Sequence, residues 1–206
     1  MIWNLLTQPT GTYPVEIDLL NGDWDKNQLE DMSVDIGRKP LTRADFFQSG
    51  RRMRTDFLPT IAKRSGAGTQ PIEDYKDVRL AQICSGAFRE LVEQFDPGVH
   101  QFEALEILDR NGQPEKRDFF WFFPGVRLHA LDPDRVIPPL SGPGYYDQTI
   151  PPADWHFVFQ QAIVSSHDVF CTAEVFNLIF VSDRLKQAIE IAGFSGIRFA
   201  GPYDLS

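Results

Sequence analysis

Leu178-Ile179-Phe180-Val181-Ser182-Asp183-Arg184-Leu185-Lys186-Gln187-Ala188-Ile189-Glu190 is an apolar run that meets a serine and continues as an amphipathic helix. Gly193 stops the helix, and a short segment follows that ends at Phe199. The same design stands 97 positions earlier, where Leu80-Ala81-Gln82-Ile83-Cys84 meets Ser85. Ser85/Ser182, Phe88/Leu185, Arg89/Lys186, Val92/Ile189, Glu93/Glu190 and Phe102/Phe199 fall in register without a gap. Serine before a helical stripe is a cap that satisfies orphan amides, and glycine after it permits the left-handed stop. The pattern reads strand, cap, helix, strand, written twice. It describes a scaffold and contains nothing chemically reactive.

Outward from these modules, Tyr13 to Leu20 alternates as a first short strand, and Asn21-Gly22 marks a turn into an acidic, polar loop reaching Ser33. Ser65 to Gln70 is a flexible connector. Asp96-Pro97-Gly98 ends the first helix, because proline cannot continue it. Phe102 to Leu108 alternates as a strand, Asn111-Gly112 signals a hairpin, and Asp118 to Phe123 returns. Phe119-Phe120-Trp121-Phe122-Phe123 cannot all face one side, so that strand is either covered on both faces or partly an exposed patch. Six prolines between Pro133 and Pro152 make a long, stiff surface connection carrying Tyr145-Tyr146-Asp147. Trp155 to Val164 and Leu178 to Val181 read as further strands. Helices and strands do not alternate regularly, so the expected class is α+β, with mixed or antiparallel sheets and the module occurring twice in two related lobes. The expected organisation is a weakly defined region 1–75 and an α+β domain 76–206, the alternative being one compact domain.

The chain has 206 residues, 42% hydrophobic and 24% charged, which is globular composition. Its 17 Phe supply apolar area with no hydroxyl to satisfy. Met1 to Thr10 carries no positive charge and no long apolar core, and no run approaches a membrane span. Cys84 and Cys171, both beside apolar residues, are expected as buried thiols in a reducing compartment. The expected location is cytoplasmic.

The net charge of -9 is uneven. Residues 1–37 hold seven acids and one base, whereas residues 38–64 hold eight bases against Asp45 and Asp56. The basic stretch 38–64 could form a nucleic-acid strip, but pairing with the acidic N-terminal segment is the simpler reading.

The four histidines, His100, His129, His156 and His167, show no metal-ligand spacing. Ser165-Ser166-His167-Asp168 holds triad residue types, yet neighbours on a strand point to opposite faces, so a polar turn is expected. No phosphate loop occurs, and Asp132-Pro133-Asp134 is a turn pair. No catalytic residue, metal site or cofactor is therefore assigned. An enzyme would require a pocket joining His156 or His167 with Asp168 or Glu174.

The texture of the second module, from Val181-Ser182-Asp183 through Leu185-Lys186, Ala188 and Gly193 to Gly196-Ile197-Arg198-Phe199, resembles the bacterial immunity-protein family eleven of polymorphic toxin systems. The resemblance continues in the first module, the Asn111-Gly112 hairpin and Phe119 to Phe123. It covers about Lys76 to Ala200, and the first 75 residues match only loosely. It implies a non-catalytic protein that binds and neutralises a cognate toxin. An acidic chain suits a basic toxin such as a nuclease. Candidate contact residues are Trp121, Tyr145, Tyr146, Asp147 and Trp155, since aromatic anchors dominate many interfaces. Core burial is the competing fate for Trp121 and Trp155. The edge of a Phe-rich sheet also permits a homo-oligomer.

Overall fold

A computed structural model describes residues 1–23, 26, 50–79, 81–137, 139, 155–175 and 178–206. The architecture is mixed α+β, mostly strands, in two six-stranded mixed sheets. One sheet contains β2 (Glu16–Leu19), β3 (Ile61–Ser65), β6 (Gln101–Leu108), β7 (Phe119–Phe123), β5 (Ala81–Ser85) and β4 (Tyr75–Val78), in that spatial order. The other contains β8 (Arg127–Leu128), β10 (Val169–Thr172), β11 (Ile179–Ser182), β1 (Ile2–Thr7), β12 (Ile197–Leu205) and β9 (Val158–Phe159).

Helix α1 (Gly86–Phe95) connects β5 to β6, which lie either side of β7. Helix α3 (Asp183–Ala192) connects β11 to β12, which lie either side of β1. The caps are those the serines announce. Ser85 Oγ accepts from Phe88 N at 3.3 Å, and Ser182 Oγ accepts from Leu185 N at 3.2 Å. Gly193 closes α3 at φ 69°, a left-handed turn that a side chain would strain. Each helix buries a narrow stripe, Phe88 and Val92 on α1, Leu185 and Ile189 on α3.

Both helices lie on the same shared cluster, which joins Phe88, Val92, Leu185 and Ile189 to Leu5, Tyr75, Cys84, Phe122, Val169, Cys171, Ile179 and Val181. The opposite sheet faces have separate clusters, one around Trp121 and Ile83, the other around Phe157, Phe159, Phe170 and Phe180. This settles β7: Phe119, Trp121 and Phe123 face one cluster, while Phe122 enters the other, so the aromatic run is covered on both faces. Burying each such ring contributes about 1.5–3 kcal/mol.

Two expectations need correction. The strand expected over Tyr13 to Leu20 shortens to β2, and Ile2–Thr7, unassigned from sequence, forms a central strand between β11 and β12. Six residues with a single charged-free alternation carry no local signal, and only pairing with strands about 180 residues away defines them. Residues 1–75 thus supply strands to both sheets, and position 75 coincides with no break in either. Trp155 to Val164 is not one strand. Val158–Phe159 is extended, then Gln160 turns the chain into the single-turn helix α2 (Gln161–Val164), its amide donating to Ala130 O at 2.8 Å.

Candidate interaction surface

Trp121, one of the five expected contact residues, has no exposed surface, and its Nε1 donates to Pro59 O at 2.7 Å. Its place on the fully covered strand β7 makes it a core residue, which removes it as a partner anchor in this conformation. Trp155 is half-buried against the Phe157 cluster, with ring centroids 6.0 Å apart. Tyr145, Tyr146 and Asp147 lie outside the described residues, as does the basic stretch before Gly50. Of the later bases, Arg54 pairs with Asp56, and Arg64 donates to the Gly68 and Gln70 carbonyls and faces Glu115 at 3.6 Å.

The histidines do not assemble a reactive pocket. His100 is buried; its Nδ1 accepts from Gly125 N at 3.1 Å and its Nε2 lies 3.3 Å from Asp96 Oδ2. Both ring nitrogens are therefore occupied by structural partners. His156 faces Asp204 at 3.4 Å in the open, and His129 faces Glu174 at 3.6 Å. The pairing required for an enzyme, His156 or His167 with Asp168 or Glu174, does not occur among the described residues. Asp168 is instead a buried anchor that accepts from Ser182 Oγ and from the Arg184 guanidinium. No group of three or more metal-ligating side chains occurs among the described residues.

Asp96 does more than end α1. Its Oδ2 accepts from the amides of Asp168 at 2.9 Å and Val169 at 2.8 Å, tying the first helix to β10 of the other sheet. Burial alone would raise its pKa, but His100 and those two amides outweigh it, so the carboxyl sits below its ordinary range. Glu174 goes the other way, since burial dominates and holds its carboxyl above the usual value. Both cysteines are buried free thiols; burial pushes Cys171 up to about 12 and Cys84 further, so neither is a nucleophile near neutral pH.

The helix layer carries cations against aromatic rings. Arg89 lies 4.6 Å from the centroid of Phe120 and 5.7 Å from that of Phe102. Lys186 lies 4.5 Å from Trp3 and 5.7 Å from Phe199. Beside Lys186 an open groove of about 470 Å³ runs between α3 and β12, lined by Trp3, Glu190, Phe194 and Arg198 among others. No histidine lines this groove. No helix among the described residues is long and apolar enough to cross a membrane.

The geometry defines an acidic α+β scaffold in which the buried Asp96 ties the helix of one sheet to a strand of the other. The chain belongs to the immunity protein family Imm11, whose family model matches residues 30–203. No curated protein matches the chain.

Proposed function

We propose that this protein binds and neutralises a cognate bacterial toxin stoichiometrically and without catalysis, acting in the cytoplasm within a polymorphic toxin system. The observation that carries the reading is family membership across residues 30–203. The commitment of His100, Asp96 and Asp168 to structural partners supports it, because these are the groups an active site would otherwise recruit. The charge of -9 favours a basic toxin. Trp155, Tyr145, Tyr146 and Asp147 remain the aromatic and acidic contacts proposed for it. Co-expression with the product of the neighbouring toxin gene tests the reading: rescue of growth with a stable complex is expected. Toxicity without rescue, and no complex, would overturn it.

The scaffold is further proposed to be one folding unit built from two related lobes. Five strands of each sheet support this, β3-β6-β7-β5-β4 and β9-β12-β1-β11-β10, which have the same order and the same parallel or antiparallel sense. Phe102 faces Phe122 as Phe199 faces Leu5, and Glu103 faces Trp121 as Ala200 faces Asn4. Arg89 and Lys186, which are 97 positions apart, cover equivalent ring pairs. In this reading β1 occupies in its lobe the place that β7 occupies in the other, although it comes from the opposite end of the sequence.

A further inference from the structure

Two six-stranded sheets have four edges, and three are closed by neighbouring backbone. Along β4, Tyr75 N donates to Ser195 O at 3.3 Å, and Thr7 Oγ1 bonds Asp77. Along β9, Asp132 N donates to Val158 O at 2.8 Å and Leu131 bridges Phe159. Beside β8 the backbone of Gly50 packs so closely that a Cβ there would lie 2.3 Å from Val126 O.

The fourth edge, β2, is open among the described residues. Leu20 N donates to Ile61 O at 2.9 Å, which fixes Glu16/Ser65 and Asp18/Lys63 as the pairs that exchange ladder bonds with β3. The N–H and C=O of Ile17 and Leu19 then point away from the sheet, and no described residue bonds them. Their side chains pack on the core, while Glu16 and Asp18 are exposed on the other face. Of the six large apolar side chains exposed among the described residues, three border this strand: Tyr13 (64%) before it, and Leu20 (53%) and Phe57 (40%) beyond its far end. Gly22 packs against the Phe57 backbone, since a Cβ there would meet Phe57 O at 2.7 Å. β2 also has no counterpart in the other sheet, where β9 is the last strand beyond β12.

We infer that β2 is a docking edge that takes an extended, basic segment of the toxin as an added strand, with lysine or arginine facing Glu16 and Asp18. This rests on the immunity reading above. Main-chain pairing supplies the attachment, and the alternating acids choose the partner. A second copy of this chain is the wrong occupant, because edge-to-edge pairing would set Glu16 and Asp18 against the same acids. Lys63 is the one base facing Asp18 across the ladder, and Glu106 on β6 restores the acid excess on that face.

The test uses the full chain with the neighbouring gene's toxin carrying an inactivating substitution. Amide hydrogen exchange at Ile17 and Leu19 should slow at least tenfold in the complex. Glu16→Lys combined with Asp18→Lys should weaken the affinity tenfold or more with an unchanged melting temperature. Glu90→Lys, on the exposed face of α1, should weaken it far less. A tight complex with fast exchange at both amides, or equal weakening by both charge changes, overturns the edge proposal and leaves the immunity reading standing. No complex at all overturns both. Protection that grows with concentration in the chain alone assigns the edge to a second copy and also overturns the proposal.

Discussion

Asp74 and Ser195, 121 residues apart, exchange three hydrogen bonds across the seam between the sheets. Ser195 Oγ donates to Asp74 Oδ2 at 2.7 Å and accepts from Asp74 N at 3.1 Å, while Ser195 N donates to the same carboxylate oxygen at 3.0 Å. Arg117 holds the other oxygen at 2.8 Å. Ser195→Ala removes two of the three bonds and leaves a partly buried carboxylate short of a donor. A loss of about 1–2 kcal/mol is expected. Urea denaturation measures it, and a midpoint equal to wild type would show the seam to be held elsewhere.

The next residue tolerates no side chain. Gly196 has φ 83°, and a Cβ there would lie 2.2 Å from Tyr75 O and 2.5 Å from the Glu73 side chain. Gly196→Ala must therefore move the backbone of β4, and should cost more than 3 kcal/mol or prevent folding. Gly98→Ala is the comparison, with φ 69° and nothing near its Cβ, and should cost only about 1 kcal/mol. Soluble yield and thermal melting of the two variants separate steric crowding from conformational strain.

Acid should unfold the protein through the same seams. The carboxyls of Glu73, Asp74 and Asp96 are each held below their ordinary values, by hydrogen bonds and nearby cations that outweigh burial. A depressed carboxylate contributes stability above its unfolded value, and that stability is lost as pH falls through the folded one. Stability should drop below about pH 4. Asp96→Asn, which also weakens acceptance from Asp168 N and Val169 N, should flatten that dependence and lower stability at pH 7. An unchanged acid midpoint in this variant would exclude Asp96 as a contributor.

Glu174 predicts the opposite sign. Its raised folded value means that its favourable contribution is present below the unfolded value and is lost as pH rises through the folded one. Glu174→Gln keeps the shape and removes the buried charge, so it should gain on the order of 1 kcal/mol at pH 8 and little at pH 4. Chemical denaturation at the two pH values gives the difference. Equal effects at both would mean that His129, rather than burial, governs the site.

What could be read from sequence was local. Ser85 and Ser182 announce helices because a cap needs only the next three residues, and Gly193 stops α3 within its own turn. The aromatic strand was legible, but whether it is covered on both faces or partly exposed was resolved only by packing. Asp96 and Asp168 were legible as a helix end and a polar turn, whereas their role in joining the sheets depends on residues 72 and 73 positions apart. The open edge was equally hidden, since a strand is marginal or central only once its neighbours are known. Trp121 misled because a tryptophan in an aromatic run looks the same whether it faces a partner or Pro59.

The position of β1 sets a schedule for the chain's birth on the ribosome. Ile2 pairs with Ser182 on one side and Tyr203 on the other, so β1 cannot be seated until β12 has emerged. Until then its apolar face has no sheet to enter, and the nascent polypeptide must wait with Ile2 and Leu5 uncovered. The sheet around β7 closes far earlier, because β5, β6 and β7 are complete by Phe123. Interrupted translation would consequently leave one finished half and one that cannot close.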